Sequence, residues 1–231
     1  MKKLLLVALM AAFTTTSFAQ LLTGTSVARS EEKSSNWSYL YFQYSPGLFS
    51  PKEGDSETYN AVSFGWNQNI HLSNSIPLFL EFGVGVQYTF NNIKEEGRTI
   101  TYSYGGYSVP ISYGSTETKL NMVSMKIPLG VSYVFDIPNT PISIIPNLGF
   151  DFRINTWAEQ KYNGHTVNPF DKDDMGSSDA TWNRFQVGGH AGVNARFWKK
   201  LLVGFSYQLD FSEIAKDVRM NQANITVGYC F

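Results

Sequence analysis

The chain has 231 residues, 15% of them aromatic, with 18 Lys and Arg against 19 Asp and Glu for a formal net charge of −1. That balance offers nothing to attract a nucleic-acid partner. The single cysteine, Cys230, excludes an intramolecular disulfide, so the fold must be held by its backbone ladder. No apolar run approaches the ~20 residues that carry a helix across a bilayer, which excludes a helical membrane protein.

The N-terminus opens with Lys2 and Lys3, continues through an apolar run from Leu4 to Phe13 and reaches Ser17-Phe18-Ala19 before Gln20. Charged, hydrophobic and small-residue zones in that order read as a signal peptide, residues 1–19, cleaved after Ala19. The exported chain then carries 16 basic and 19 acidic residues, net −3. Residues 20–36 are polar, with Arg29, Glu31, Glu32 and Lys33 close together, and are expected to form a flexible periplasmic lead. Residues 37–231 suit one all-β domain.

From there the dominant signal is strict alternation. Strands are expected at about 37–48, 58–71, 77–91, 117–135, 142–157, 182–197, 200–212 and 221–231. The third is the clearest: Leu78, Leu80, Phe82, Val84, Val86, Tyr88 and Phe90 share one face, and the other is mostly Gly or polar. The sixth places Phe185 and Phe197 at the ends of an apolar face whose middle is small, which fits girdle aromatics at the two interfaces of a hydrocarbon layer. The seventh and eighth continue that face through Leu201, Val203, Phe205 and Val227 to Phe231. Connections alternate: 71–77, 136–141 and 197–200 are tight, whereas 49–57, 92–116, 158–181 and 213–220 are longer and polar. Short periplasmic turns and long outer loops are the pattern of outer-membrane barrels. The expected fold is a closed eight-stranded antiparallel transmembrane β-barrel, an up-and-down meander with both termini in the periplasm.

Alternation alone does not say which face points outward, and a soluble lipocalin-like barrel has the opposite sense. Composition favours the membrane. A water-facing surface carries roughly a quarter to a third charged residues, yet the polar face here is Gly83, Gly85, Gln87, Gly188, Gly192, Gly204, Ser206, Gln208, Thr226 and Gly228 with scattered charges.

The run Met125-Lys126-Ile127-Pro128-Leu129-Gly130-Val131-Ser132-Tyr133, the run Pro146-Asn147-Leu148-Gly149-Phe150-Asp151-Phe152 and the Tyr229-Cys230-Phe231 end resemble the PorT-type outer-membrane β-barrel family, with a plan similar to OmpX. The resemblance spans essentially the whole mature chain. It implies an outer-membrane location and no shared catalytic residues. The terminal Phe231 is similar to the C-terminal signal read by the barrel-assembly machinery; a last girdle aromatic is the simpler reading, and both can hold.

Glu81, Lys126, Asp151, Arg153, Arg184, His190, Arg196 and Asp210 fall on the polar face and are expected to form a charge-compensated lumen network, because Arg or Lys toward lipid at mid-depth costs about 2–4 kcal/mol. A turn centred between Pro138 and Asn139 puts Lys126 opposite Asp151. Pairing around Lys199 puts His190 opposite Gln208 and diagonal to Ser206 and Asp210. That Ser-His-Asp convergence has no demonstrated nucleophile–base contact, so structural filling is preferred over catalysis. A proton or ion path is the other reading of the network.

Asp171-Lys172-Asp173-Asp174-Met175-Gly176 matches part of a calcium loop, but Met175 and Trp182 occupy positions that need acidic ligands. His71 and His165 have no partner at metal-ligand spacing. Neither a metal, a cofactor nor a catalytic residue is expected. In the 92–116 loop, Thr99–Tyr104 and Tyr107–Tyr113 are strand-like and flank Gly105-Gly106, a hairpin signal. Tyr102, Tyr104, Tyr107 and Tyr113 would decorate it, either as an interfacial belt or as a surface for a protein strand or glycan.

These observations point to a small outer-membrane barrel with a side-chain-filled lumen and an envelope-structural or surface-binding role, not a general porin and not an enzyme. The expected partners are outer-membrane lipid and lipopolysaccharide, the assembly machinery, and an extracellular protein or glycan. The alternatives are a lipid A acyl hydrolase or transferase, or a small-solute or ion conduit.

Overall fold

The computed structural model describes residues 36–73, 76–95, 99–104, 107–112, 116–162, 165–176 and 180–231. Its strands are β1 (Trp37–Pro51), β2 (Glu57–His71), β3 (Leu78–Glu95), β4 (Thr99–Tyr104), β5 (Tyr107–Ser112), β6 (Thr116–Tyr133), β7 (Phe135–Asp136), β8 (Ile142–Tyr162), β9 (His165–Val167), β10 (Phe185–Phe197), β11 (Leu201–Asp210) and β12 (Val218–Cys230), with one helical turn, α1 (Lys172–Met175). Eight of them form the barrel. They pair antiparallel in the order β1-β2-β3-β6-β8-β10-β11-β12, and β12 returns to β1 with Cys230 beside Tyr39. Closure leaves the sheet no unpaired edge within the membrane band.

The pleat sorts the side chains by chemistry. Phe42, Phe64, Val86, Leu148, Phe150, Phe205, Ile225 and Val227 stand outward and exposed, whereas Gln43, Asn67, Glu81, Gln87, Lys126, Asp151, Gln208 and Gln222 are buried inside. An apolar exterior around a polar interior is the inverse of a lipocalin, and it settles the question that alternation leaves open.

The interior is layered. At the short-turn end Trp37, Tyr39, Tyr41, Phe79, Val134, Ile145, Leu202 and Cys230 make one apolar cluster. At the long-loop end Phe49, Tyr59, Leu120, Met122, Ala158, Ile214 and Met220 make another, with Phe170 and Trp182 packed on it. The polar side chains lie between two apolar stoppers.

Several boundaries differ from the sequence reading, mainly at the long-loop end. β3 and β6 run on to pair Glu95 with Thr116, and β8 continues to Tyr162 beside Thr118. Those residues are mostly polar, so no hydrophobic period marks them although their backbones still pair. β10 starts at Phe185 rather than 182 because the chain before it is committed elsewhere: Trp182 N–H donates to Pro169 O at 2.7 Å and Asn183 N–H to Ile214 O at 2.6 Å.

The β7–β8 turn shifts one register. Thr140 N–H donates to Ile137 O at 3.2 Å, as a turn over Pro138 and Asn139 requires, and Asn139 takes φ 61°. Ladder pairing resumes only at Ile142, which accepts from Ile137 N–H at 3.0 Å, because Pro141 has no N–H to give. Lys126 therefore lies opposite Arg153, and Asp151 opposite Pro128, a correction of two residues from the expected Lys126–Asp151 pair. An even shift keeps every side chain on its face. A bulge at Val123/Ser124 then changes the phase, so that Trp157 points outward and Ala158 is buried.

Candidate functional site

Two regions could carry function: the lumen network and the long-loop end. In the lumen, Tyr39 Oη donates to Glu81 Oε1 at 2.6 Å, and Asn67 Nδ2 donates to the same oxygen at 2.6 Å and to Tyr39 Oη at 2.7 Å. Lys126 Nζ donates to Gln43 Oε1 at 3.1 Å, and Gln43 Nε2 to Thr226 Oγ1 at 3.0 Å. Arg153 is ion-paired with Asp210, and its Nε donates to Gln186 Oε1 at 2.9 Å. Asp210 also accepts from Gln208 Nε2 at 3.0 Å, and Gln208 accepts from Gln222 Nε2 at 3.1 Å. Every strand of the barrel supplies an amide or a charge to these chains, β2 through Asn67 and β10 through Gln186.

His190 stands opposite Gln208 as the β10–β11 register requires, yet its Nδ1 lies 2.6 Å from Asp151 Oδ2 rather than toward Asp210. Asp210 is taken by Arg153. Ser206 Oγ accepts from Asn224 Nδ2 at 3.2 Å. The Ser-His-Asp convergence therefore dissolves into two separate carboxylate pairs, and the arrangement gives Ser206 no base. Arg196 lies over the Trp37 ring at 4.8 Å, joining the network to the short-turn stopper. Arg184 is corrected: it is exposed, donates to Thr156 O at 3.1 Å and covers the Phe170 ring at 4.5 Å. It precedes β10, so the alternation that assigned it to the lumen does not reach it.

Between the stoppers is a cavity of about 60 Å³ bordered by Tyr41, Glu81, Lys126, Asp151, His190 and Asn224. It has room for a few waters. Sequence reasoning missed the aromatic contribution of β1, whose two faces are both rich in rings. The available signal was glycine on the neighbouring strands: a Cβ at Gly65 or Gly85 would sit 2.6 or 2.4 Å from Tyr41 Oη. The two runs that carry the family resemblance also acquire a physical meaning, because they face each other across β6 and β8 with Gly130 opposite Gly149.

At the loop end, β4 and β5 pair as a separate two-stranded sheet with Tyr104 beside Tyr107, so Tyr102, Tyr104 and Tyr107 lie on paired strands. Tyr113 lies outside the described residues, as do Gly105-Gly106. The Asp171–Gly176 segment forms α1: Asp171 Oδ1 accepts from Asp173 N–H at 3.0 Å, and Gly176 ends the turn at φ 72°. Its carboxylates thus cap backbone, and Asp174 Oδ2 accepts from Asn168 N–H at 2.8 Å. Among the described residues no group of three or more His, Cys, Asp or Glu is placed to hold a metal. Phe231 is tied to β1 by reciprocal bonds with Ser38 at 2.9 and 3.1 Å, and its ring stands outward with Tyr229.

An eight-stranded antiparallel barrel that is apolar outside, polar within and stoppered at both ends defines a class, the small outer-membrane barrels. The chain belongs to the family described as outer membrane protein beta-barrel domain, whose model matches residues 5–231. Its fold is similar to that of Neisserial surface protein A, NspA, with a TM-score of 0.51 and 16% identity over 84% of this chain and 97% of that one. Weaker likenesses are Ail, the attachment invasion locus protein of Yersinia pestis, solved with the heparin analogue sucrose octasulfate (TM-score 0.44, 11% identity, 85% and 99% covered), and the outer membrane enzyme PagL (TM-score 0.37, 10% identity, 80% and 97% covered). The first likeness concerns the fold alone, and the other two carry no functional argument. No curated protein matches the chain.

Proposed function

We propose that the protein is a PorT-type outer-membrane barrel with a surface-binding or envelope-structural role, exported by a signal peptide cleaved after Ala19 and oriented with its long loops outside. The observation that carries this reading is the contrast between its two regions. The lumen is filled and stoppered by side chains, while the connection from β3 to β6 carries a sheet of its own, β4 and β5. Material does not pass through such a barrel, so its work falls to what its loops meet.

In this reading the hairpin around Tyr102, Tyr104, Tyr107 and Tyr113 captures an extracellular protein or glycan, the apolar band contacts lipid and lipopolysaccharide, and Phe231 is read during assembly. A lipid-modifying activity has less support, because His190 is held by Asp151 inside the lumen, away from the acyl chains. The test is capture from the cell surface with the intact protein and with Thr99–Tyr113 deleted. The intact protein is expected to retain a partner that the deletion loses, while both keep the heat-dependent gel mobility of a folded barrel. Equal capture by both would overturn the hairpin's role, and lipid A whose acyl chains change with the His190→Gln variant would overturn the non-enzymatic reading.

A further inference from the structure

Above the outer stopper, the loop end holds a second cavity, of about 260 Å³. Its walls come from strand ends and connections at that end: Phe49 from β1, Leu120 from β6, Trp182 before β10, Ile214 from the β11–β12 connection and Val218 from the start of β12. The Phe49 and Trp182 rings lie 6.1 Å apart at 52°. Phe49, Leu120 and Ile214 belong to the stopper itself, so the cavity is a closed-floored cup rather than an entrance to the lumen. Its volume falls just below the ~300–1,000 Å³ of small-molecule sites, which suits a compact ligand. Because Phe49 and Leu120 are lumen-phase residues, the cup faces away from the lipid band and is not an acyl-chain groove.

The rim has a sign. Asp55 and Glu57 border the cup, both exposed, and no hydrogen bond or ion pair of either carboxylate exists among the described residues. The described residues of 52–57, 118–119, 159–184 and 213–219 carry nine acidic against seven basic residues, so the charge at this end leans acidic and draws cations. An apolar cup with two aromatic rings and two carboxylates at its lip complements one kind of molecule, an organic cation whose body enters the cup and whose charged head remains at the rim.

We propose that this cup binds a small aryl- or alkyl-ammonium ion, with Phe49, Trp182 and Ile214 around the apolar body and Asp55 and Glu57 at the ammonium group. The site is independent of the hairpin's proposed role, since Thr99–Tyr113 supplies none of its described walls. The full mature chain in phospholipid nanodiscs would be titrated with 2-phenylethylammonium, with the neutral isostere 2-phenylethanol and with phenylacetate, following the NMR signals of Ile214, Ala215 and Val218. The expected result is a saturable shift with the ammonium ion, roughly tenfold weaker with the alcohol and weaker still with the anion. The D55N/E57Q pair should erase the preference for the cation, and Ala215→Trp, which fills the cup, should abolish binding while heat-dependent gel mobility persists. Equal binding of the three probes, an unchanged preference in D55N/E57Q, or shifts that never saturate would each overturn the proposal.

Discussion

Asp210 and Arg153 meet in the lumen with side chains only 1% exposed, so neither charge has water to fall back on. Replacing Asp210 with Ala leaves Arg153 buried and uncompensated, which is expected to cost about 3–5 kcal/mol. Replacing both, Arg153→Met with Asp210→Leu, should recover most of that loss, because the pair's attraction largely repays its own desolvation. Urea unfolding in lipid vesicles measures both; a double variant no more stable than Asp210→Ala would show that the pair has favourable coupling beyond charge cancellation. The glycines between β6 and β8 set a different residue-scale limit. A Cβ at Gly149 would lie 2.5 Å from Leu129 O and 2.6 Å from Gly130 Cα, and backbone cannot swing aside as a side-chain tip can. Gly149→Ala is expected to cost roughly 1–3 kcal/mol, lowering the urea midpoint. An unchanged midpoint would mean that the two strands separate more easily than their spacing indicates.

At the scale of elements, the connection from β3 to β6 is the separable part. Its β4–β5 pairing shares no ladder with the barrel, so deleting Thr99–Tyr113 is expected to leave folding and gel mobility intact; failure to assemble would show that the hairpin contributes to barrel closure. This hairpin was legible in the sequence because Gly105-Gly106 interrupts two runs of strand-forming residues, and Thr99–Tyr104 is the observed span of β4. The barrel strands were legible for a similar reason: one face meets lipid, so composition records the pleat. Where apolar residues are too few to repeat, as in β8 beyond Trp157, nothing records it. The missed two-residue shift before Ile142 came from a proline that cannot pair. The misassigned Arg184 came from extending alternation past the last residue of the strand. The site was legible as a set of lumen charges, whereas its actual partners were not. Whether His190 meets Asp151 or Asp210 depends on side-chain reach across three strands, information that no single strand's pattern contains.

For the whole molecule, the order of layers matters more than any one contact. Apolar clusters at both ends enclose a polar middle whose cavity holds only about 60 Å³, and an eight-stranded wall leaves little width to spare. In the proposed reading the barrel is a carrier for its loops rather than a pore. Planar-bilayer recording with the purified, heat-modifiable protein tests this most directly. The predicted result is a membrane that remains electrically silent, without stable single-channel steps, whereas large, long-lived conductance steps from the same preparation would contradict a stoppered lumen.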